Sequence, residues 1–348
     1  MASKPLSAED LVHVLTHAHE SFVALKGARL FVTGGTGFFG HWLLESLLYA
    51  NRELSLNIRA TVLTRSAASF QNKAPHIAND PAITLLEGEI RTFTFPAEPH
   101  THVLHAATDS GGQQANRPAY ELAESILEGT RRVLLFARET GATRLLYTST
   151  GAVYGRSTTL QHTPETYTGA PDPLLLQSSY DEAKRMAEHL CIAYAHSTPL
   201  EPVIARCFAF VGPHLPLDQH FAIGNFLGAA IAGKPIHIKG DGTPRRSWLY
   251  MADLAIWLWT MLVRGQANRA YNVGSNKGHT IAEAAHLTAT TLRPGLPIQI
   301  DGTPNPAAPL NSYVPSIDRA HDELGLSVTI PLNEALRRTA AWHGYTAP

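Results

Sequence analysis

Cysteine is scarce in this chain: Cys191 and Cys207 are the two among 348 residues. So few thiols exclude a disulfide framework and leave stability to the core. Both lie in segments read as a helix and a strand, so they are expected as buried thiols of a reducing cytoplasm. Charge of one sign is missing too. Lys and Arg number 28 against 29 Asp and Glu, a formal net charge of −1. No basic field draws such a chain to nucleic acid or to an anionic membrane, and neither partner is expected. No apolar run reaches the roughly 18 residues that span a bilayer. A signal-peptide pattern is also lacking, because Glu9, Asp10, His13 and Glu20 interrupt the stretch from Ala2 to Leu25. A cytoplasmic protein is expected. Histidine is plentiful, yet no two histidines show a spacing that argues for a metal. His13, His17 and His19 share one short N-terminal helix that reads as a solvated face, and no metal is expected.

What the chain does have is glycine concentrated in one place. In "RLFVTGGTGFFGHWLLE", Arg29 to Glu45, four glycines fall within seven residues. Leu30-Phe31-Val32 before them is short, branched and aromatic, and reads as a buried strand. Phe39, Trp42, Leu43, Leu47 and Leu48 after them recur at helical spacing. The glycines therefore occupy a strand-to-helix turn. Gly34 permits the tight turn, Gly37 lets backbone approach a ligand, and Gly40 lets helix and strand pack closely. Thr36, Phe38 and Phe39 complete the turn. A helix N-terminus with unpaired N–H groups and partial positive charge suits a pyrophosphate, so the turn predicts a dinucleotide site.

The elements that follow alternate. Strands are expected at 58–63, 84–86, 102–105, 144–148 and 202–208, and helices at 42–50, 120–139 and 180–196. This order predicts an α/β fold, a doubly wound parallel sheet of Rossmann type with a smaller C-terminal substrate lobe. Residues 11–25 read as one amphipathic helix ahead of the first strand, packed outside the domain or used for self-association. A return helix is expected at 253–263. The predicted division is an extension at 1–28, a dinucleotide-binding domain at 29–210 with 246–274, and a substrate lobe at 211–245 with 275–348.

Ligands of such sheets bind at the carboxyl ends of the strands. The second strand ends Thr64-Arg65-Ser66. An acidic residue there would bond the ribose hydroxyls of NAD. Arg65 and Ser66 stand there instead, and a guanidinium grips a phosphate, so NADP is the expected cofactor. If Arg65 stacks on adenine, NAD serves as well. Glu89 and Ile90 in "LEGEI" are expected near the adenine, and His105-Ala106-Ala107 beside the pyrophosphate.

The fifth strand ends "LLYTSTGAVYG" and the next helix opens "SSYDEAKRMAE". Tyr180 and Lys184, four apart, share one helix face. An ammonium lowers the pKa of a phenol, which then exchanges a proton with a carbinol while hydride moves to or from a nicotinamide. Thr150, or Ser149 beside it, offers a hydrogen bond to the same oxygen.

Thr33–Gly40, His105–Ala107, Thr150 with "VYG", and Tyr180 with Lys184 resemble the extended short-chain dehydrogenase/reductase family, home of nucleotide-sugar epimerases, dehydratases and reductases. The resemblance runs from about Arg29 nearly to the C-terminus. It implies Thr150, Tyr180 and Lys184 as catalytic residues and a nucleotide-diphosphate sugar as substrate. "GKPIHIKGDGTPRRSWLYMADLA" is similar to the family's diphosphate segment, with Arg246 at the phosphate-gripping arginine, Asp253 at the aspartate that follows, and Asn225 at the asparagine that meets the diphosphate. In the family's 4,6-dehydratases and decarboxylases, acidic residues follow the catalytic Thr or Ser. Here Gly151 and Ala152 follow Thr150, which speaks against both chemistries. The expectation is an NADPH-dependent 4-keto-sugar reductase. The alternatives are a 4-epimerase with retained cofactor and, further off, a 4,6-dehydratase or a non-catalytic NADP-binding protein. A homodimer is expected.

Overall fold

The run Leu30-Phe31-Val32 forms the middle of β1 (Arg29–Thr33) in a computed structural model that describes residues 3–107, 118–219 and 221–346. β2 (Arg59–Thr64), β3 (Ile83–Glu87), β4 (His102–His105), β5 (Arg144–Thr150) and β6 (Glu201–Cys207) follow in the chain. Next come the short strands β7 (Phe210–Val211), β8 (Ile236–Ile238), β9 (Arg245–Arg246) and β10 (Leu249–Tyr250), then β11 (Arg269–Val273). Among the described residues, seven strands form one sheet in the order β11-β6-β5-β4-β1-β2-β3. Every pairing in it is parallel, as expected from the alternation of elements.

Successive strand residues face opposite sides, and the sheet sorts them into two cores. Leu30, Val32, Leu104 and Leu146 enter one, whereas Phe31, Val103, Leu145 and Tyr147 enter the other. The second core is covered by α6 (Ala119–Thr140) and α7 (Ser179–Ser197), through residues such as Val133, Phe136 and Ala187. The first is covered by α3 (Phe38–Leu54) and α9 (Met251–Arg264), whose Trp42, Trp257 and Trp259 are fully buried. Burying one large apolar side chain contributes about 1.5–3 kcal/mol, so this face is a principal source of stability. No helix of the described residues is long and apolar enough to cross a membrane.

The N-terminal segment departs from expectation. It is two helices, α1 (Ala8–His17) and α2 (His19–Ala24), broken at Ala18. The break turns both segments inward. Val14, Phe22 and Leu25 are all fully buried, and the Phe22 ring lies 5.4 Å from Trp259. Asp10, also buried, accepts from the Tyr250 hydroxyl and from Arg338, each at 2.9 Å. The extension is thus part of the main core.

Beyond β6 the elements are short. β7 pairs with β10, and β8 with β13 (Ile298–Ile300). β9 lies between β12 (His279–Thr280) and β14 (Ser312–Tyr313). α8 (Ala222–Ala232) and α10 (Ile281–Leu292) pack on one another, with α12 (Leu332–Trp342) against both. His220, in the loop at 214–221, lies outside the described residues.

α3 starts earlier than its hydrophobic periodicity suggests, at Phe38, because the glycines let the helix begin tight against the turn. A Cβ on Gly40 would sit 2.1 Å from the Gly35 carbonyl oxygen and 2.5 Å from that of Gly34. Gly40→Ala therefore forces backbone apart and should destabilise the protein by about 1–3 kcal/mol, the usual cost of overpacking. Denaturant unfolding checks this; an unchanged midpoint would show that helix and turn do not pack as described.

Candidate functional site

Strand order reverses between β1 and β4: β2 and β3 lie beyond β1, β5 and β6 beyond β4. The crevice at such a switch point is where open α/β sheets bind ligands. The glycine turn leaves β1 there and His105-Ala106-Ala107 ends β4 beside it. Gly34 has φ +74°, and a Cβ on it would lie 2.4 Å from the Ala106 carbonyl oxygen, so two backbones touch with no room for a side chain. Gly37 is different. A Cβ there would meet only the Gly34 oxygen, at 3.4 Å, which leaves open space above the helix start. Gly37 is the N-cap of α3, and among the described residues no side chain caps that end. The first-turn N–H groups of Phe38, Phe39 and Gly40 therefore suit an anionic group such as a pyrophosphate.

The residues behind the crevice are tightly organised. Thr33 Oγ1 lies 2.7 Å from His105 Nδ1 and accepts from the Ala107 N–H at 3.1 Å. His105 Nε2 lies 3.1 Å from Thr130 Oγ1. His105 is fully buried, and burial, with Lys184 nearby, pushes its pKa down to about 3. It is thus a neutral bridge between β1, β4 and α6. On the adenosine side, Ser66 caps α4 (Ala67–Lys73) by accepting from the Ser69 N–H, with Arg65 just before it. Glu89 pairs with Arg91 at 3.2 Å, and Ile90 packs where a side chain on Gly129 would stand.

At the end of β5, one helical turn of α7 carries Tyr180 and Lys184. Lys184 is 1% exposed, a position that costs several kcal/mol unless the cation is compensated. Nζ donates to the Thr148 carbonyl at 2.8 Å and lies 4.7 Å from the Tyr147 ring centre. Burial lowers its pKa to about 8, so the ammonium persists at neutral pH. Tyr180 is half-buried against the α6–α7 core. Ser149 and Thr150, interchangeable by sequence, are separated by the strand pleat. Ser149 Oγ donates to Glu188, which is held by Arg206 at 2.6 and 3.0 Å. Thr150 Oγ1 lies 3.3 Å from the Tyr313 hydroxyl.

Tyr313, Glu188 and Arg206 were not among the sequence candidates. Glu188 follows Lys184 by one helical turn, a spacing visible in the sequence. Tyr313 gives no local signal. Its ring packs on Phe208 at 4.6 Å and lies 6.0 Å from the Arg246 guanidinium carbon. Arg246 donates to the Arg245 carbonyl at 2.7 Å and to Asn311, and makes no ion pair among the described residues. Burial, with Arg156 nearby, holds its pKa below the ordinary value, as for a cation short of an anion. Arg246 and Asn225, exposed on the first turn of α8, both line a cavity of about 720 Å³ together with Phe226, Lys239 and Ile281. Asp253 lies elsewhere. It is fully buried and accepts from the Thr329 and Ile330 N–H groups at 3.1 Å, a structural tie to the C-terminal segment.

The NAD dependent epimerase/dehydratase family profile matches residues 30–274. UDP-glucuronic acid decarboxylase 1 of Arabidopsis thaliana is 29% identical over 321 residues, spanning 91% of this chain and 70% of that protein. An epimerase from Methanothermobacter thermautotrophicus superposes with a TM-score of 0.77 at 24% identity, covering 95% of this chain and 96% of its own. A UDP-glucose 4-epimerase from Thermus thermophilus, solved as a complex with NAD, gives a TM-score of 0.73 at 24% identity, covering 91% and 100%.

The neutral state of His105 has a pH signature. Its pKa falls from an ordinary 6.5 to about 3 on folding, so between those values the unfolded chain binds a proton that the folded chain does not. Its contribution to stability is present above pH 6.5 and is lost as the pH falls towards 3. Unfolding free energies measured at pH 7.5 and pH 5 should differ more for the wild type than for His105→Asn. Equal differences would mean that the imidazole titrates freely.

Proposed function

The chain belongs to the NAD dependent epimerase/dehydratase family, and on that premise we propose that it reduces a keto group, at C4, of a nucleotide-diphosphate sugar with NADPH. The observation that carries the substrate class is the line Thr150–Tyr313–Arg246. A hydroxyl at the end of β5 connects through one tyrosine to a half-buried arginine facing a cavity. The separation of the Thr150 hydroxyl and the anion-ready guanidinium suits a molecule with a sugar at one end and a diphosphate at the other. Arg246 and Asn225 hold the diphosphate in this reading. Arg246 apart, residues 29–210 with 246–274 serve the dinucleotide, and 211–245 with 275–348 the sugar nucleotide, with 1–28 as an extension.

The nicotinamide cofactor, when bound, supplies the hydride. Tyr180 then gives its phenolic proton to the sugar oxygen, so the carbonyl becomes a carbinol with proton and hydride both accounted for. The Lys184 ammonium stabilises the phenolate left behind. Thr150 holds the same oxygen by a hydrogen bond. Gly34, Thr36, Gly37, Phe38, Phe39 and Gly40, with Ala106 and Ala107, would hold the cofactor's pyrophosphate. Gly151 and Ala152 support reduction over decarboxylation or elimination, since neither side chain moves a proton. A Cβ on Gly151 would lie 2.6 Å from the Phe208 ring, which disfavours a larger side chain there. Arg65 supports NADP over NAD through the extra phosphate. The same acid-free strand end suits a 4-epimerase with retained cofactor, which is the second reading.

A panel of nucleoside-diphosphate sugars separates these readings. A reductase consumes one NADPH per 4-keto sugar, whereas an epimerase interconverts C4 epimers without net consumption. Turnover of neither class would overturn the assignment. Tyr180→Phe should lower turnover by roughly 100- to 10,000-fold with cofactor affinity retained. Arg65→Ala should weaken NADPH by about 1.5–3 kcal/mol and leave NADH nearly unchanged, measured by titration of both. Equal losses would assign Arg65 to adenine stacking.

A further inference from the structure

One turn into α3, His41 and Glu45 stand four residues apart on one helix face. His214 reaches them from the loop after β7. The ligand-type atoms of the three all lie within 4.8 Å of one another. The cluster is buried: His41 is 1% exposed, Glu45 5% and the His214 side chain 7%. His41 Nδ1 and Nε2 and His214 Nε2 have no hydrogen-bond partner among the described residues, whereas Glu45 Oε1 meets His76 Nε2 at 3.2 Å. A buried polar atom left unpaired costs about 1–3 kcal/mol, and three stand here.

We propose that His41, Glu45 and His214 bind a divalent transition-metal ion of the zinc type, with the fourth position left to water. Zinc–nitrogen and zinc–oxygen bonds of about 2.0–2.1 Å place tetrahedral ligands about 3.3 Å apart. Glu45 Oε1 lies 3.8 Å from His214 Nε2, and His76 pairs with the same oxygen from the side at 3.2 Å. The other carboxylate oxygen accepts from the Leu6 N–H at 2.8 Å, which orients Glu45 with Oε1 left for the ion. The His41 and His214 rings stack 4.1 Å apart at 12°, so one ring must turn for both in-plane lone pairs to converge on the ion. His214 is held with φ +72°, a conformation that side chains other than glycine rarely adopt.

The ion would join α3 to the loop after β7 and, through the Leu6 N–H on Glu45, to the N-terminal segment. The His41 N–H bonds the Gly37 carbonyl at 3.1 Å, so the site anchors the helix that starts at the glycine turn.

The test uses the full-length protein, stripped by a chelator and titrated with zinc against a coloured competitor, with metal content and melting temperature as readouts. One equivalent should bind with a dissociation constant of micromolar or below and raise the melting temperature. Cobalt in its place should give the intense visible bands of a four-coordinate ion. His41→Gln and His214→Gln should each lose that equivalent. The wild-type shift between chelator and zinc stands alone should either variant fail to fold. No binding by the wild type, or full binding retained by both variants, would overturn the proposal.

Discussion

No side chain fits where the β1–α3 turn passes the end of β4. A Cβ on Gly34 would collide with Ala106 and one on Gly40 with Gly35, so three stretches of main chain meet with nothing between them. That close approach brings the start of α3 to the point where the sheet reverses its order. It also sets Thr33 within reach of His105, and through His105 it ties the crevice floor to Thr130 on α6. The open space above Gly37 is the counterpart of the crowding on either side of it.

A second constraint lies across β5. Lys184, Glu188 and Arg206 bring charges of both signs into a poorly solvated region, where each ion costs several kcal/mol of desolvation. The cost is offset because every charge is met: Lys184 by the Thr148 carbonyl and the Tyr147 ring, Glu188 by Ser149 and Arg206. Arg206 also lies over Tyr154, whose hydroxyl donates to Asn272 at 2.7 Å. Asn272 in turn donates through its side chain to the Thr163 and Ser316 carbonyls. One network thus joins α7, β5, β6, β11 and two loops, and it fixes where Thr150 stands relative to the helix bearing Tyr180.

The sequence was most legible where chemistry and periodicity are local. The glycine turn, the parallel sheet, the family and the pairing of Tyr180 with Lys184 on one helix face all followed from residues a few positions apart. The single N-terminal helix expected over 11–25 is two, because its break answers to distant partners such as Trp259 and Tyr250. Tyr313 stands 163 residues from Thr150, and no spacing rule connects them. The same holds for His41 and His214. His41 and Glu45 stand at i and i+4, a ligand spacing once a third group is known, but the third group comes from a loop. A spacing argument about histidine sees only partners on one element.

The docking of α1 also orders events in time. Asp10 bonds Arg338 across 328 residues, and its other partner, Tyr250, lies 240 residues on. At about 5–20 residues per second, Arg338 is made roughly 15–65 s after Asp10, and Trp259 roughly 12–47 s after Phe22. Until α9 is made, the inward face of α2 lacks the ring that covers Phe22. That face is open to chaperones and to neighbouring nascent chains, and a segment made before the sheet completes its docking after it.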